Sequence, residues 1–344
     1  MPLLTDLIDP AMLTGYTRAA LADYEGSNDS LTSHLPNQVV SQNTVSLRLA
    51  DNGLMDAADF RAYDSELDFG KGEDVDEQVV RLLPIGVKLA ISEFEQVAAI
   101  GSNEDFLLQA VRRASERAAR AVADRMELER GRVISTGKVA FHKSGRPVVE
   151  DNFGRDADMS VTAGVLWSAA DAKPLDDLLA YLDAYVAKNG TEPGQIIMSN
   201  KALRSLAKAD GLRVEINGGG SRAASASDVQ AILDGYGLPE VRVYNRKVRR
   251  FNASTKRSEL VNVLPDDSIF LVPPAGQSNL GATYWGRTLT STKLNWGIAI
   301  ADQPGIVAGV SENDEPPVIT QVVADAIGQP ILANANLAMA AKVL

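Results

Sequence analysis

One glycine-rich run in this 344-residue chain has a composition that could bind phosphate. The run is Gly218-Gly219-Gly220-Ser221-Arg222, and the backbone N–H groups of such loops can surround phosphate oxygens. It lacks the GxxxxGK[ST] order of a nucleotide-binding loop, and the chain contains no dinucleotide fingerprint and no G-x-S-x-G motif. We therefore predict a flexible loop, with the lid of an α/β enzyme as the alternative.

Acidic side chains are concentrated in a segment where a calcium site must be considered. The carboxylates of this segment are Asp64, Glu66, Asp68, Glu73, Asp74, Asp76 and Glu77. Their spacing does not fit the D-x-[DN]-x-[DN]-G-x₅-E order of an EF-hand loop. Three of them alternate with Ser65, Leu67 and Phe69, which predicts a strand with one solvated face rather than a metal site.

The chain offers few residues for nucleophilic or metal chemistry. It has no cysteine, which excludes disulfides, thiolate catalysis and cysteine-based zinc sites. His34 and His142 are isolated, so a triad or a histidine metal site is not expected, and each is predicted in a loop or hairpin. Trp167, Trp285 and Trp296 lie in separate regions and are predicted to anchor packing. We expect no catalytic, cofactor-binding or metal-binding residue.

One covalent reaction between subunits stays open from the residue types. Lys71 lies near a predicted loop tip and could attack Asn334 or Asn336 of another subunit to form an isopeptide bond. That reaction needs a desolvated lysine with a lowered pKa and a positioned carboxylate base. The sequence supplies the three residue types but cannot place them together.

Charge is distributed unevenly along the chain. The formal net charge is −11, and residues 1–100 carry 17 acidic against 6 basic side chains. This acidic third argues against direct nucleic-acid binding, which needs clustered Lys and Arg, and would suit a wall that repels DNA. The exception is a basic run formed by Arg242, Arg246, Lys247, Arg249, Arg250, Lys256 and Arg257. We predict a solvated hairpin there, with a patch contacting an acidic neighbour or nucleic acid as the alternative.

Composition bounds the class of protein. Hydrophobic residues make up 45% of the chain, which is ample for the core of about two domains. No apolar run approaches the roughly 20 residues of a membrane span, and residues 1–10 lack the basic start of a secretory signal. We therefore predict a soluble globular protein that is made and used in a cytoplasm.

A single long helix, called the spine helix, is predicted at 102–137 and should measure about 50 Å. Ser102 and Asn103 can cap its start, and Gly137 ends it. Its apolar residues recur every three or four positions and form one narrow stripe: Leu107, Val111, Ala114, Ala118, Val122 and Met126. A narrow stripe is typical of a helix that lies along a thin layer. A long surface helix of an α/β enzyme is the alternative, and this segment alone favours it.

The remaining pattern indicates an extended arm, a long loop and an inserted α/β unit. Helices are predicted at 10–24, 174–189, 200–209 (capped by Asn200) and 227–236, with a mobile loop at 216–227. Strands are predicted at 44–49, 59–62, 64–69, 78–83, 139–142, 146–150, 195–199, 240–244, 260–264 and 268–272. Two final strands are expected at 318–324 and 337–344, on either side of Gly328-Gln329-Pro330.

Two short segments carry a resemblance to a known family. Glu150-Asp151-Asn152-Phe153-Gly154-Arg155 leads to Trp167-Ser168, and Pro316-Pro317 leads through Gln329-Pro330-Ile331-Leu332 to Lys342-Val343-Leu344. Together with the order of the elements, these segments resemble the tailed-phage major capsid proteins, specifically the phage lambda major head protein family. That family shares the Hong Kong ninety-seven-type capsid fold with encapsulins.

The resemblance implies an α+β fold of the Hong Kong ninety-seven type, with an N-terminal arm, an extended loop, the spine helix, a peripheral domain and an axial α/β domain. The implied divisions are 1–37 for the arm, 38–84 for the extended loop, 85–174 for the peripheral domain, 175–309 for the axial domain and 310–344 for the return to the peripheral domain. The extended loop would be covered by a neighbouring subunit, since an isolated two-stranded hairpin is marginal in water.

The resemblance also implies a structural protein rather than an enzyme, without cofactors. It would assemble into hexamers and pentamers of an icosahedral head around double-stranded DNA, which it would contact without sequence specificity, and its spine helix would shift during procapsid maturation. The implied partners are a separate scaffolding protein, a portal protein and a possible decoration protein, with no membrane. The protein would reside in the virion after assembly in the host bacterial cytoplasm. An encapsulin-like compartment is the alternative within the same fold.

Overall fold

The computed structural model describes residues 3, 8–49, 76–99, 105–143, 146–209, 211–212, 225–252, 255–276, 279–313 and 318–344. The α-helices with defined bounds are α1 (Pro10–Ser27), α2 (Glu93–Ala99), α3 (Asp105–Thr136), α4 (Pro174–Asn189), α5 (Asn200–Lys208) and α6 (Ala226–Gly235). Among these described helices, none is both long enough and apolar enough to span a membrane.

The β-strands are β1 (Asn37–Val39), β2 (Thr44–Leu49), β3 (Asp76–Arg81), β4 (Pro84–Ala90), β5 (Lys138–Lys143), β6 (Arg146–Asn152), β7 (Ser160–Thr162), β8 (Gln195–Met198), β9 (Glu240–Val243), β10 (Lys247–Asn252), β11 (Arg257–Asn262), β12 (Ser268–Val272), β13 (Gly281–Gly286), β14 (Val307–Glu312), β15 (Thr320–Leu332) and β16 (Met339–Lys342). They form two five-stranded sheets and three two-stranded ribbons.

The first sheet is organised around β15. β4 pairs with it along one side, while β13 and β14 pair with it end to end along the other, so that Ile327 is opposite both Gly286 and Pro84. β1 adds to β13 in parallel. The helices α1 and α3 contact each other and cover this sheet, α3 against β15 and β4 and α1 against β14. Small buried side chains such as Ala118, Ala324 and Ala326 let the two layers approach closely.

The second sheet has the order β7-β16-β12-β8-β9. β16 and β8 are antiparallel to β12, whereas β7 and β9 are added in parallel. Helices α4, α5 and α6 contribute to its core, whose members include Leu178, Tyr185, Ile196, Ile197, Leu206, Leu233 and Phe270. Alternation of helices with short buried strands between 174 and 272 is the pattern that predicted an α/β unit in this region.

The spine helix is confirmed as α3 over residues 105–136, and the predicted start at 102–104 lies outside the described residues. The prediction of a narrow apolar stripe is wrong. Buried positions occur in adjacent pairs along α3, such as Ala118 with Ala119 and Val122 with Ala123, because α1 covers one flank of the helix and the first sheet covers the other. Alanines and polar residues therefore double the width of the buried face.

The predicted end of the strand at residue 324 is also wrong, because Gly328-Gln329-Pro330 lies inside the continuous strand β15. A Cβ on Gly328 would lie 2.8 Å from the ring of Trp285, so the glycine makes room for that side chain. Gly328 donates its N–H toward the β4 side, to the carbonyl of Leu83. The nitrogen of Pro330 points to the same side. The pairing of β15 with β4 ends at Ile327, so no strand faces this nitrogen and the missing N–H of proline costs no hydrogen bond between strands.

Most other predicted elements are confirmed within two or three residues. The helix at 200–208 is capped by Ser199, not Asn200, because the Ser199 hydroxyl accepts from the N–H of Ala202. β2 and β3 form the predicted long ribbon, with Thr44 opposite Arg81 and Leu49 opposite Asp76. The strands predicted at 59–62 and 64–69 lie outside the described residues, as does most of the loop predicted at 216–227.

Candidate functional site

A buried ion network lies where α3 meets the N-terminal segment and both sheets. Its centre is Arg130, whose side chain is fully buried. Nη1 of its guanidinium lies 2.7 Å from Glu25 Oε1 and 3.1 Å from Glu127 Oε2. Nη2 donates to Asn37 Oδ1 at 2.7 Å, and Nε donates to Thr283 Oγ1 at 2.9 Å. One guanidinium therefore connects α1, α3, β1 and β13.

Glu127 extends the network to the second sheet. Its carboxylate accepts hydrogen bonds from the Tyr244 hydroxyl at 2.7 Å, the Ser30 hydroxyl at 2.8 Å and the N–H of Leu31 at 2.7 Å. Burial raises the pKa of Tyr244, and the neighbouring Glu127 carboxylate raises it further. Tyr244 follows β9 directly, so this carboxylate joins the spine helix to the edge of the second sheet.

A second group of contacts holds the segment after α1 against the region around β9. Arg242 forms an ion pair with Asp29 and donates to Ser33 Oγ at 2.8 Å. Arg246 contacts Asp124 of α3 at 3.0 Å and lies over the ring of Tyr24, with its guanidinium carbon 5.4 Å from the ring centroid. These half-buried contacts surround the fully buried network and shield it from water.

The network has the composition of a structural junction. Both of its buried carboxylates are fully engaged with donors, and two arginines, Arg130 and Arg246, balance the charges of Glu25 and Glu127. Among the described residues, no group of three or more His, Asp or Glu side chains could hold a metal ion. The arrangement offers hydrogen bonds and charge compensation, without a nucleophile presented to a cavity.

The sequence did not identify this network. Glu25 and Arg130 are more than 100 positions apart, so their pairing leaves no local pattern. One signal was available, because Glu127 and Arg130 stand three residues apart where the apolar face of α3 continues. A charged pair at i and i+3 that interrupts a buried face indicates an internal ion pair.

The basic run at 242–257 is divided by the structure. Its hairpin is confirmed as the ribbon β10/β11. However, the run is not one free basic patch, because Arg242 and Arg246 are paired with acidic residues from other parts of the chain. The exposed cations of the ribbon are Lys247, Arg249, Arg250, Lys256 and Arg257.

The ribbon β2/β3 is anchored at its base. The Asn43 side chain donates to the carbonyl of Arg287 and accepts from its N–H, each at 2.9 Å. Leu47 and Val80 are buried in the main core, whereas Val79 is exposed. The expectation that only a neighbouring subunit would cover this loop is therefore corrected for its described base, which packs on its own chain.

Large apolar side chains are exposed at several places, and three groups of them each lie within one element or connection. The first is α2, with Phe94 and Val97, and the second is the outer face of β10/β11, with Phe251 and Leu260. The third is the connection from β13 to β14, which exposes Leu289, Leu294 and Ile300 while Trp296 in the same connection is buried. Leu294 is 99% exposed, which is costly for an isolated chain and typical of a surface that meets another molecule.

The other residues with predicted roles are accounted for as follows. Trp167, Trp285 and Trp296 are buried as predicted, and His142 lies in the hairpin β5/β6. His34 is wholly buried after a short 3₁₀ turn, with Nε2 3.1 Å from Gln195 Oε1. Burial, followed by the nearby charge of Arg242, lowers the pKa of His34 to about 4.

The isopeptide hypothesis stays a prediction, because it joins residues of two subunits and Lys71 lies outside the described residues. Asn334 and Asn336 form a turn in which the Asn334 side chain accepts from the N–H of Asn336. Asn336 itself accepts from the N–H of Asp156 at 2.9 Å. Lys71, the carboxylates at 64–74 and the glycine-rich run at 218–222 lie outside the described residues.

Comparison with known proteins identifies the fold. No protein-family model and no curated protein matches the sequence. A prophage protein from E. coli CFT073 that is assigned as a capsid protein superposes with a TM-score of 0.62 at 17% identity, over 96% of this chain and 99% of that chain. A phage-related protein from Bordetella bronchiseptica RB50 superposes with a TM-score of 0.55 at 15% identity, over 96% and 95% of the two chains.

These similarities define the architecture of the chain. It has the α+β, Hong Kong ninety-seven-type capsid fold that the sequence resemblance implied. At 15–17% identity the likeness concerns the fold, and the function must be argued from this chain's own surfaces.

Proposed function

We propose that the chain is a tailed-phage major capsid protein that assembles into the hexamers and pentamers of an icosahedral head. The observation that carries this proposal is the agreement of fold along 96% of the chain with a prophage protein assigned as a capsid protein. The agreement covers 96% of this chain and 99% of that chain, so it is not limited to one part of the fold. The proposed role is structural, without catalysis or a cofactor.

The exposed surfaces support this proposal. A closed shell needs each subunit to present several patches to different neighbours, and many modest contacts then add to a stable assembly. Three exposed apolar patches lie on α2, on the ribbon β10/β11 and in the β13–β14 connection. Obligate interfaces commonly bury about 2,000 Å² or more, which would cover such side chains.

We assign the regions in the same way as the sequence resemblance implied. Residues 1–37 are the arm, 38–84 the extended loop, 85–174 with 310–344 the peripheral domain, and 175–309 the axial domain. The buried network around Arg130 supports a close junction between these regions, since its members Glu25, Glu127 and Tyr244 come from three of them.

The proposed partners are further copies of the chain, a separate scaffolding protein, a portal protein and a possible decoration protein. Packaged double-stranded DNA is the proposed content, contacted without sequence specificity. Assembly in the host bacterial cytoplasm would give a procapsid that matures into the virion shell.

The test is direct imaging of assembly. The full chain is expressed, purified and concentrated, then examined by size-exclusion chromatography and electron microscopy, alone and with the neighbouring scaffolding candidate from the same genome. We expect capsomers and closed or aberrant shells tens of nanometres across, since shells of this kind contain many subunits. A product that stays strictly monomeric under all of these conditions contradicts the proposal.

A further inference from the structure

The solvent-facing side of the spine helix carries a row of arginines. Arg112, Arg113, Arg117 and Arg120 are all exposed on α3 within nine residues. At 1.5 Å per residue the row is about 12 Å long, and Arg113, Arg117 and Arg120 follow one another at helical spacings of four and three. We call these four residues the arginine row.

The acidic residues of the same helix are occupied elsewhere. Glu116 accepts a hydrogen bond from the Tyr16 hydroxyl of α1, and Asp124 binds Tyr24 and Arg246. Glu127 is buried in the ion network, and Glu129 pairs with Arg125 and Arg132.

The charge of the arginine row is compensated only in part, because its four cations share this stretch of α3 with the single carboxylate of Glu116. Within the described part of the chain, no ion pair or hydrogen bond engages Arg112, Arg113 or Arg117. Arg120 lies over the ring of Tyr24 and lines a small groove that also contains Asp23.

We propose that the arginine row binds the phosphate backbone of packaged nucleic acid and that this face of α3 lines the lumen of the shell, an inference that rests on the proposed function. The planar guanidinium matches phosphate oxygens in a bidentate geometry. Phosphates of one DNA strand are spaced 3.4 Å along the helix axis, so a row of about 12 Å faces three or four of them.

The chemistry of this face favours nucleic acid over a second copy of the chain. An acidic segment of another copy would also carry the required charge, because residues 1–100 are strongly acidic. However, the described part of α3 exposes one large apolar side chain, Phe106 at 38%, whereas protein interfaces are built around apolar centres. Protein–DNA interfaces are more polar and much more positively charged.

The experiment measures binding of the full chain to a fluorescent 30-base-pair DNA of mixed sequence over a range of salt concentrations. The test variant is R112Q/R113Q/R117Q/R120Q. The matched control is K247Q/R249Q/K256Q/R257Q, which removes the same charge from exposed positions on the ribbon β10/β11. Thermal unfolding of each variant checks that the fold is retained, and a variant with four lysines in the row keeps the charge if the glutamine variant is unstable.

We expect the glutamine variant of the row to bind DNA at least about tenfold more weakly than the parent. The slope of log K against log salt should become less negative by about 3, because about three phosphate contacts are lost. The control should stay within about twofold of the parent, and the lysine variant should retain most of the binding. Equal losses in the row variant and the control, or binding unchanged in the row variant, would overturn the inference.

The same variants separate this inference from the proposed function. If the parent forms shells but its DNA affinity does not depend on the row, the phosphate site fails while the shell role stands. If the row variant keeps its DNA affinity and loses self-association, the face is a contact between copies and the inference is overturned. If the parent binds DNA through the row but never assembles, the shell role fails instead.

Discussion

At the scale of single residues, the side chain of Arg130 is the centre of the buried network. It has four partners and no exposed surface. We expect Arg130→Ala to lower the free energy of unfolding by about 3–5 kcal/mol, because it leaves the carboxylates of Glu25 and Glu127 buried without their cation. Urea unfolding followed by circular dichroism measures the change.

The control for this substitution is Arg117→Ala on the exposed side of the same helix. Its side chain makes no described ion pair, so its effect should remain within about 0.5 kcal/mol. Comparable losses at the two positions would show that the network contributes nothing beyond helix propensity.

His34 gives the fold a predictable response to acid. Burial lowers the pKa of its imidazole to about 4, so between this value and 6.5 the unfolded chain binds a proton that the folded chain excludes. The stability from neutral His34 is complete above pH 6.5 and decreases as the pH falls toward 4, by about 3 kcal/mol. We expect His34→Gln to show a shallower loss of stability over this range than the parent. Denaturant midpoints at pH 7, 5.5 and 4.5 measure the difference, and parallel curves would exclude the effect.

Single residues also show what the sequence could reveal about the site. The tryptophans were predictable because large aromatic side chains in a soluble chain are commonly buried. Glu25 was not, since its partner Arg130 is brought to it only by the packing of α1 on α3. A buried ion pair between distant segments has no local periodicity, and its existence depends on tertiary contacts.

At the scale of elements, Gly131 of α3 marks a point where two backbones touch. A Cβ at this position would lie 2.2 Å from the carbonyl oxygen of Val263. In an exposed helix, replacing Gly by Ala stabilises by up to about 1 kcal/mol, but at Gly131 the clash should reverse the sign. We expect Gly131→Ala to destabilise by about 1–3 kcal/mol in denaturant titration.

Gly15 of α1 provides the opposite case for the same substitution. It lies in a helix and has open space where a Cβ would be placed. Gly15→Ala should therefore raise the unfolding midpoint slightly. If both variants shift the midpoint in the same direction, the close approach at Gly131 is not a constraint on the fold.

Elements differed in how well they could be predicted. Helices such as α4 and hairpins such as β5/β6 carry their periodicity and turn residues in adjacent positions, and both were predicted. The strand β15 was predicted only over its first part, at 318–324, because Gly328 and Pro330 usually interrupt strands. In the fold, Gly328 makes room for the side chain of Trp285. The nitrogen of Pro330 points to the side where pairing with β4 has already ended, so neither residue ends the strand.

At the scale of the whole molecule, exposed apolar side chains should matter for association and not for folding. We expect Leu294→Ser with Ile300→Ser to leave the melting temperature within about 2 °C of the parent, since both side chains are exposed in the chain. The yield of particles in sedimentation should fall by about tenfold. This corresponds to a loss of about 1.4 kcal/mol of association free energy per contact between subunits. Glu192→Ser, at an exposed polar position, is the control and should change neither measurement.

Charge at this scale was only partly predictable. Summing residues along the sequence gave an acidic first third and a nearly neutral remainder, which argued against contact with nucleic acid. The structure adds what this sum could not show, because local charge depends on which side chains are exposed together. The four residues of the arginine row are exposed on one helix, where Glu116 offsets part of their charge.

The backbone contact at Gly131 affects how closely two parts of the fold can pack. Layers of secondary structure are ordinarily separated by about 10 Å of interdigitated side chains. At Gly131 that spacing is reduced, since no side chain stands between the helix and the carbonyl of Val263. In the proposed shell protein, this contact lets α3 and the segment after β11 lie closer than side chains would allow, and a single added methyl group would be enough to force them apart.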